Sequence, residues 1–556
     1  MAGNSSPSVR FGAVLVSIRV YDDIAAVPLG AACIAAAIEA SPQLAGRVSV
    51  KIVEAGPGEP ASVLARRIMA SDPDAVGFSL YCWNRILAEK TATILRRTAP
   101  DLILFAGGPE AEALFRDDRS GRSGQSVGTN LFDAVFRGEG EDSVTSWLCE
   151  LLGGRAVREI PVSRGLPAAE TLPSPWLLGT IHPEKGGSAV WELTRGCPYS
   201  CAYCYEGRGS HAVRRLPDAR IDAELELFAR SGTTEVFVLD PTFNLDRKRT
   251  LRLLGLFGEK APGIRWQFEV RAELLDRAQA AAFARLDCFL QIGLQSSDPE
   301  VLSRVGRGID RKAFAEKLSL LDREGVVYGL DLIYGLPGDT LEGFRFSVDF
   351  ALGLGPNHLD IFPLSLLPGT EVADRAGDWG IDANPEPPYI VRGQPGFGPE
   401  DMQAASRLAE ACSLFYSRGR AVPWFRAALA PLKTRPSAFL DGMPVRHDTV
   451  GLAHAAIESI QTEYLESAYR GRGLERLLPA VLDMVRFNGA WSRAFAEGTS
   501  TTLELSYPAE AVSSPDILDL RRFVAGTAPK HEKIRVEASA GGPVVHIMSA
   551  KRRKNA

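Results

Sequence analysis

Along the first 150 residues, short apolar runs alternate with stretches of helical periodicity. Phe11 to Ser17 and Val48 to Glu54 read as strands. Between them a helix begins at Pro28, where a proline is tolerated in the first turn, and runs to about Ala40. The pattern then predicts a helix over Ala61 to Ala70, a strand entering a loop over Ala75 to Asn84, a helix over Arg85 to Arg97, and strands over Leu102 to Glu110 and Ala134 to Asp142. Such alternation predicts an α/β fold with a parallel sheet, Rossmann-like and flavodoxin-like, over 1–155. Residues 156–187 hold five prolines (161, 167, 173, 175 and 183) and read as a linker. A second series of strand–helix units follows, with strands at 188–193, 235–240, 266–270, 289–294, 327–333 and 359–364 and helices such as 221–230 and 311–324. This predicts a partial (β/α)6 barrel over 188–375. Beyond a Pro- and Gly-rich crossing at 374–399, residues 376–556 read as a mostly helical domain, with helices at 400–419, 457–496 and 516–524 and strands at 502–507 and 544–548.

Composition narrows the classes. A chain of 556 residues has room for two to four domains, and 45% apolar with 24% charged residues is ordinary for a globular protein. A net charge of −5 makes no case for a nucleic-acid partner. The longest uncharged apolar run, Ile24 to Ile38, is too short to span a bilayer, and no secretory leader is expected. Eight cysteines, three of them clustered, suit a reducing compartment, so a cytoplasmic protein is expected. No G-x-G-x-x-G follows the first strand, which disfavours a nicotinamide dinucleotide.

The clustered cysteines carry the chemistry. Cys197, Cys201 and Cys204 stand at C-x3-C-x2-C in Thr194-Arg-Gly-Cys-Pro-Tyr-Ser-Cys-Ala-Tyr-Cys-Tyr-Glu206. Three soft thiolates from one loop suit one face of a 4Fe–4S cubane and leave one iron without a cysteine. A zinc knuckle ordinarily pairs two C-x2-4-C units or adds histidines. The other cysteines, at 33, 82, 149, 288 and 412, are scattered singly in apolar surroundings and read as buried and inert. The motif resembles the radical S-adenosylmethionine (SAM) superfamily. That resemblance implies SAM chelating the open iron, Tyr203 packing beside the adenine, and six parallel strands forming an open barrel. The N-terminal domain in turn resembles the cobalamin-binding domain of cobalamin-dependent radical SAM enzymes. The resemblance rests on Pro28-Leu29-Gly30, the run Ser79-Leu80-Tyr81-Cys82-Trp83-Asn84, Gly107-Gly108-Pro109-Glu110 and Arg137-Gly138-Glu139-Gly140-Glu141. None of the seven histidines precedes residue 182, so this domain has no imidazole for the lower face of cobalt.

The resemblance also implies cofactor-binding roles at the barrel strand ends. These fall on Asp240 and Thr242, on Glu269, Arg271 and Glu273 (which alternate along one face), on Gln295 and Ser296, and on Asp331. The implied activity is methyl transfer from SAM, through methylcobalamin, to an unactivated carbon of a small-molecule or peptide substrate, in secondary metabolism. An external low-potential electron donor of flavodoxin or ferredoxin type would supply electrons. The alternatives are a non-radical C-methyltransferase like the tryptophan 2-C-methyltransferases, with Glu269 or Glu273 blocking the open iron, a corrinoid-assisted radical cyclase, and a cofactor-binding sensor. In the C-terminal part, Trp424, Phe425 and Tyr464 are pocket candidates, with core packing the stronger reading; Lys551 to Lys554 reads as a solvated tail.

Overall fold

The computed structural model describes residues 10–21, 27–111, 113–114, 131–155, 166–206, 211–444, 451–539 and 541–548. The basic tail, the start of the apolar run at Ile24 and the first part of the expected linker lie outside the described residues.

The first sheet has five parallel strands in the order β2-β1-β3-β4-β5, formed by β1 (Phe11–Ile18), β2 (Val48–Ala55), β3 (Ala75–Ser79), β4 (Ile103–Gly107) and β5 (Ala134–Val135). This is the flavodoxin order, which places a topological switch between β1 and β3. β1 is apolar throughout because both its faces are covered. Ala13 and Leu15 pack with Ile38 and Trp147 from helices Leu29–Ala40 and Glu141–Leu152 on one side. Val14, Val16 and Ile18 pack with Leu64 and Leu95 from helices Ala61–Met69 and Arg85–Thr98 on the other. β3 runs into the expected loop, whereas β4 and β5 stop earlier than the apolar pattern predicts. β3 ends at Ser79, where Asn84 folds back to accept from the Tyr81 N–H and donate to the Ser79 carbonyl. β4 ends at Gly107 and β5 after two residues, each followed by a glycine at positive φ, Gly108 and Gly138.

The second sheet has six parallel strands in the order β13-β12-β11-β10-β9-β6. They are β6 (Ser188–Trp191), β9 (Glu235–Val238), β10 (Arg265–Val270), β11 (Cys288–Gln295), β12 (Val327–Tyr334) and β13 (His358–Pro363), and β6 and β13 are free edges, so the barrel is open. A two-residue hairpin, β7 (Thr194–Arg195) with β8 (Arg214–Arg215), brackets the cysteine loop. Period-2 patterning sets the faces: Leu290, Ile292 and Leu294 of β11 are buried toward the helices, while Gln291, Gly293 and Gln295 line the concave side. Residues 169–176, within the expected linker, bury Ala169, Leu172 and Trp176 in the barrel core.

The C-terminal residues share that core rather than building a separate one, through Val391, Phe397, Leu408, Trp424 and Phe425. They are mostly helical, with Pro399–Ala411, His454–Arg470 and Leu478–Ala496 the longest segments. An antiparallel meander of Thr501–Leu505, Glu532–Glu537 and Val544–Ile547 follows, and its middle strand was not anticipated from the pattern. Trp424 and Phe425 are core residues, and Tyr464 donates to the Phe439 carbonyl at 2.6 Å while packing on Phe439.

Candidate active site between the two sheets

A cavity of about 1160 Å³ opens at the carboxyl ends of β1, β3, β4 and β5 and continues to the start of the cysteine loop. Small-molecule pockets usually measure about 300–1,000 Å³, so this one suits a macrocycle. Its walls include Leu29, Gly30, Ser79, Tyr81, Trp83, Gly107, Gly108, Pro109, Arg137, Gly138, Glu139 and Gly140 from the first sheet. Glycines let the backbone run close here, and at Gly108 the backbone demands one. A Cβ on Gly108, at φ +99°, would stand 2.7 Å from the Leu80 carbonyl oxygen, and one on Gly140 would stand 2.7 Å from Ile34 Cδ1. Tyr81 and Trp83 stack at 4.3 Å, presenting an aromatic floor at the switch point. Leu80 is fully buried, and Asn84, also buried, spends its amide on the loop backbone; both shape the crevice from behind. Glu110 lies deeper: it accepts from Tyr389 at 2.7 Å and pairs with Arg85 at 3.3 Å, clasping the C-terminal part against the first sheet.

The cysteine loop is held by backbone contacts from two sides. The Ala202 N–H donates to the Val305 carbonyl at 3.0 Å, and the Ala202 carbonyl accepts from the Val372 N–H at 3.0 Å. Gly196, at φ +90°, passes so close that a Cβ would lie 2.4 Å from the Ala212 carbonyl oxygen. Cys197, Cys201 and Cys204 are half-buried, and no disulfide joins them. Among the described residues, no three His, Cys, Asp or Glu side chains converge on a point that suits a single metal ion. Thiolates on a cubane face bind separate irons, so this spacing suits a cluster better than a mononuclear zinc. Burial pushes the Cys197 thiol up, which leaves the metal itself to draw out the thiolate form.

Beside the loop, the Tyr203 hydroxyl accepts from Arg307 at 3.0 Å, and Arg307 also donates to the Gly293 carbonyl at 2.8 Å. Gln295 adopts φ +66°, an uncommon conformation for a non-glycine residue, at a register shift where β11 ends. Its Oε1, like Arg307 Nε, is buried with no protein partner. Orphaned polar atoms of this kind next to a cluster loop fit a polar ligand such as SAM. Arg271 stacks over Tyr199 of the cysteine loop at 3.7 Å and holds Glu273 at 2.6 Å, while Glu269 reaches the open lumen. Burial raises the Glu269 carboxyl, and Glu206 adds to the shift. Asp331 accepts from Gln291, which also donates to Asp360 at 3.3 Å. Burial pushes its carboxyl up to about 7, against the Gln291 hydrogen bond and with help from Asp360.

The remaining strand-end residues face the protein. Asp240 is buried, and its Oδ1 accepts from the Leu193 and Thr194 N–H groups at 2.8 and 2.9 Å. It braces the entry to the cysteine loop. Thr242 donates to the Pro241 carbonyl, and Ser296 sits buried against Ser347 while accepting from the Asp298 N–H.

Sequence reading passed over Arg195, Arg214 and Glu192, which join Glu139 and Glu141 at the seam of the two sheets. Arg195 pairs with Glu139 at 3.0 Å, Glu141 at 2.7 Å and Glu192 at 2.9 Å, and Arg214 pairs with Glu139. The one local signal was Arg195 two residues before the first cysteine. Cys33, expected to be inert, is buried but lies in the cavity wall, 3.9 Å from Arg195 Nη2.

Residues 191–351 match the Radical SAM superfamily. The chain is 27% identical over 378 residues to the cobalamin-dependent radical SAM methyltransferase TokK of Streptomyces tokunonensis, covering 61% of this chain and 54% of that protein. It is 26% identical over 379 residues to the 2-(S-pantetheinyl)-carbapenam-3-carboxylate methyltransferase of Streptantibioticus cattleyicolor, with the same coverages of 61% and 54%. The chain thus spans about half the length of these curated relatives. In fold it is similar to the cobalamin-dependent SAM radical enzyme OxsB, with a TM-score of 0.55 at 14% identity over 84% of this chain and 80% of that one. No helix among the described residues is long and apolar enough to cross a membrane. A cysteine loop thus closes one end of a cavity whose other end is the switch point of a flavodoxin-type sheet; residues 191–351, which include that loop, match the radical SAM superfamily, and the fold around them is similar to that of a cobalamin-dependent SAM radical enzyme.

Proposed function

We propose that the protein is a cobalamin-dependent radical SAM methyltransferase that methylates an unactivated carbon of a small-molecule or peptide substrate in natural-product biosynthesis. Cys197, Cys201 and Cys204 would hold a 4Fe–4S cluster, Tyr203, Gln295 and Arg307 would flank SAM, and the crevice over Gly108, Gly140, Tyr81 and Trp83 would take the corrin. The observation that carries this reading is the single cavity that runs from the strand ends of the first sheet to Gly196, next to the first cysteine. When bound, the cluster with SAM supplies a 5′-deoxyadenosyl radical and the corrinoid supplies the methyl group. The chain's own part is to bind, orient and enclose: Asp240 and Gly196 set the cysteine loop, and Glu269, Asp331 and Asp360 give the lumen an acidic face. An external low-potential donor would reduce the cluster.

A non-radical transfer is favoured by one feature: Glu269 faces the lumen with no cationic partner among the described residues, as a carboxylate that occupies the open iron would. Anaerobic reconstitution with iron, sulfide and hydroxocobalamin, then incubation with SAM and reductant, separates the readings. Bound cobalamin with 5′-deoxyadenosine formed by the wild type and not by Cys201→Ala is the expected result. Methylated cobalamin without 5′-deoxyadenosine selects the non-radical reading. Absence of any bound cobalamin overturns both.

A further inference from the structure

Two arginines and three glutamates meet where the corrin crevice abuts the cysteine loop. Arg195 reaches four groups at once. Nη1 contacts Glu139 at 3.0 Å and Glu141 at 2.7 Å, Nε contacts Glu192 at 2.9 Å, and Nη2 lies 3.9 Å from the sulfur of Cys33. These partners come from different walls. Glu139 lies in the turn after β5 and Glu141 opens the helix that follows it, Cys33 is on the helix that opens the crevice, and Glu192 follows β6 of the barrel. The Arg195 side chain is 14% exposed, and among the described residues it is the ion-pair partner of Glu141 and Glu192, whereas Glu139 also has Arg214. The link from Arg195 to Cys197 is one residue long, and that residue, Gly196 at φ +90°, packs against the Ala212 carbonyl with no room for a Cβ.

From this arrangement we infer that Arg195 is a positioning residue that couples corrinoid occupancy to the geometry of the cluster loop. The inference rests on the cobalamin reading above. A corrin that orders residues 137–141 would draw on Glu139 and Glu141, hence on Arg195, and through Gly196 on the first cluster cysteine. A cluster that fixes Cys197 would order the same residues in reverse, since coupling between two binding sites is reciprocal. Arg214 touches only one of the carboxylates and lies outside the cysteine loop, so the coupling passes through Arg195.

The test is an anaerobic titration of hydroxocobalamin into the full chain, followed by corrin absorbance, with and without the reconstituted cluster. The wild type is expected to bind about 5-fold or more tightly when the cluster is present, the lower end of ordinary coupling between sites. Arg195→Lys keeps the charge and gives up the planar fork, so it should bring that ratio close to one while iron content per chain is retained. Arg195→Met combined with Glu192→Gln leaves one fewer stranded carboxylate and serves where a single change misfolds, with circular dichroism reporting the fold. A merely structural arginine would weaken both forms alike and leave the ratio unchanged; that result, or a wild-type ratio of one, overturns the inference and leaves the cobalamin reading standing. No cobalamin binding in any form overturns both.

Discussion

Asp240→Ala probes how the cysteine loop is held. The native carboxylate is buried and accepts from the Leu193 and Thr194 N–H groups at 2.8 and 2.9 Å, with Arg249 3.8 Å from its other oxygen. Alanine leaves two backbone donors without an acceptor, one of them on the fully buried Leu193, and removes the nearest counter-charge of a largely buried arginine. At about 1–3 kcal/mol for each unsatisfied buried group, the loss should total about 3–5 kcal/mol, a large share of the roughly 5–15 kcal/mol of a typical domain. Asp240→Asn keeps an oxygen for both donors and loses the charge, both on those hydrogen bonds and opposite Arg249, so about 1–2 kcal/mol is expected. Urea unfolding of the apoprotein compares the three chains, and iron content after reconstitution reports the loop. The alanine variant should hold markedly less iron than the asparagine variant. If Asp240→Ala unfolds within about 0.5 kcal/mol of the wild type, in the range of a neutral surface change, and loads iron normally, the bracing role is refuted.

Gly108→Ala forces a Cβ to 2.7 Å from the Leu80 carbonyl at φ +99°; a loss of about 2–4 kcal/mol is expected, with hydroxocobalamin retention on gel filtration as the readout, and normal retention would contradict the cradle. Asp331, with its carboxyl pushed up to about 7, holds a proton in the folded chain that the unfolded chain has already released, so its contribution falls as pH rises from about 4 to 7 and is level above. Asp331→Asn should remove up to about 1.4 kcal/mol of that fall per pH unit, seen as wild-type and variant unfolding curves that diverge between pH 5 and 7; parallel curves would refute it. Tyr389→Phe deletes the hydroxyl that donates to Glu110 at 2.7 Å and accepts from Arg85 at 2.8 Å, which should cost about 1–3 kcal/mol and speed proteolysis at the junction of the first sheet with the C-terminal residues.

Much of the fold was legible because its signals are local. Continuous apolar strands such as β1 announce a sheet covered on both faces, and the alternation in β11 announces a sheet with one open face. The ends of β4 and β5 were less legible, since Gly108 and Gly138 stop those strands through backbone geometry that apolar pattern does not encode. The C-terminal strand Glu532–Glu537 escaped notice because alternation of charged and apolar residues over six positions is weak without its neighbours.

For the site, the grouping of Cys197, Cys201 and Cys204 is legible without any structure, because one short loop carries all three and can offer them together to one face of a cluster. What each polar strand-end residue faces is a different matter. Asp240 and Glu269 both stand at strand ends, yet one turns back to brace two peptide N–H groups and the other reaches the lumen. Glu139 and Arg195 lie 56 residues apart, and nothing in either neighbourhood shows that they meet. Local propensity and ligand spacing act over a few residues and survive in the sequence. The partner of a buried charge is chosen by packing two sheets together, so it exists only in the folded chain.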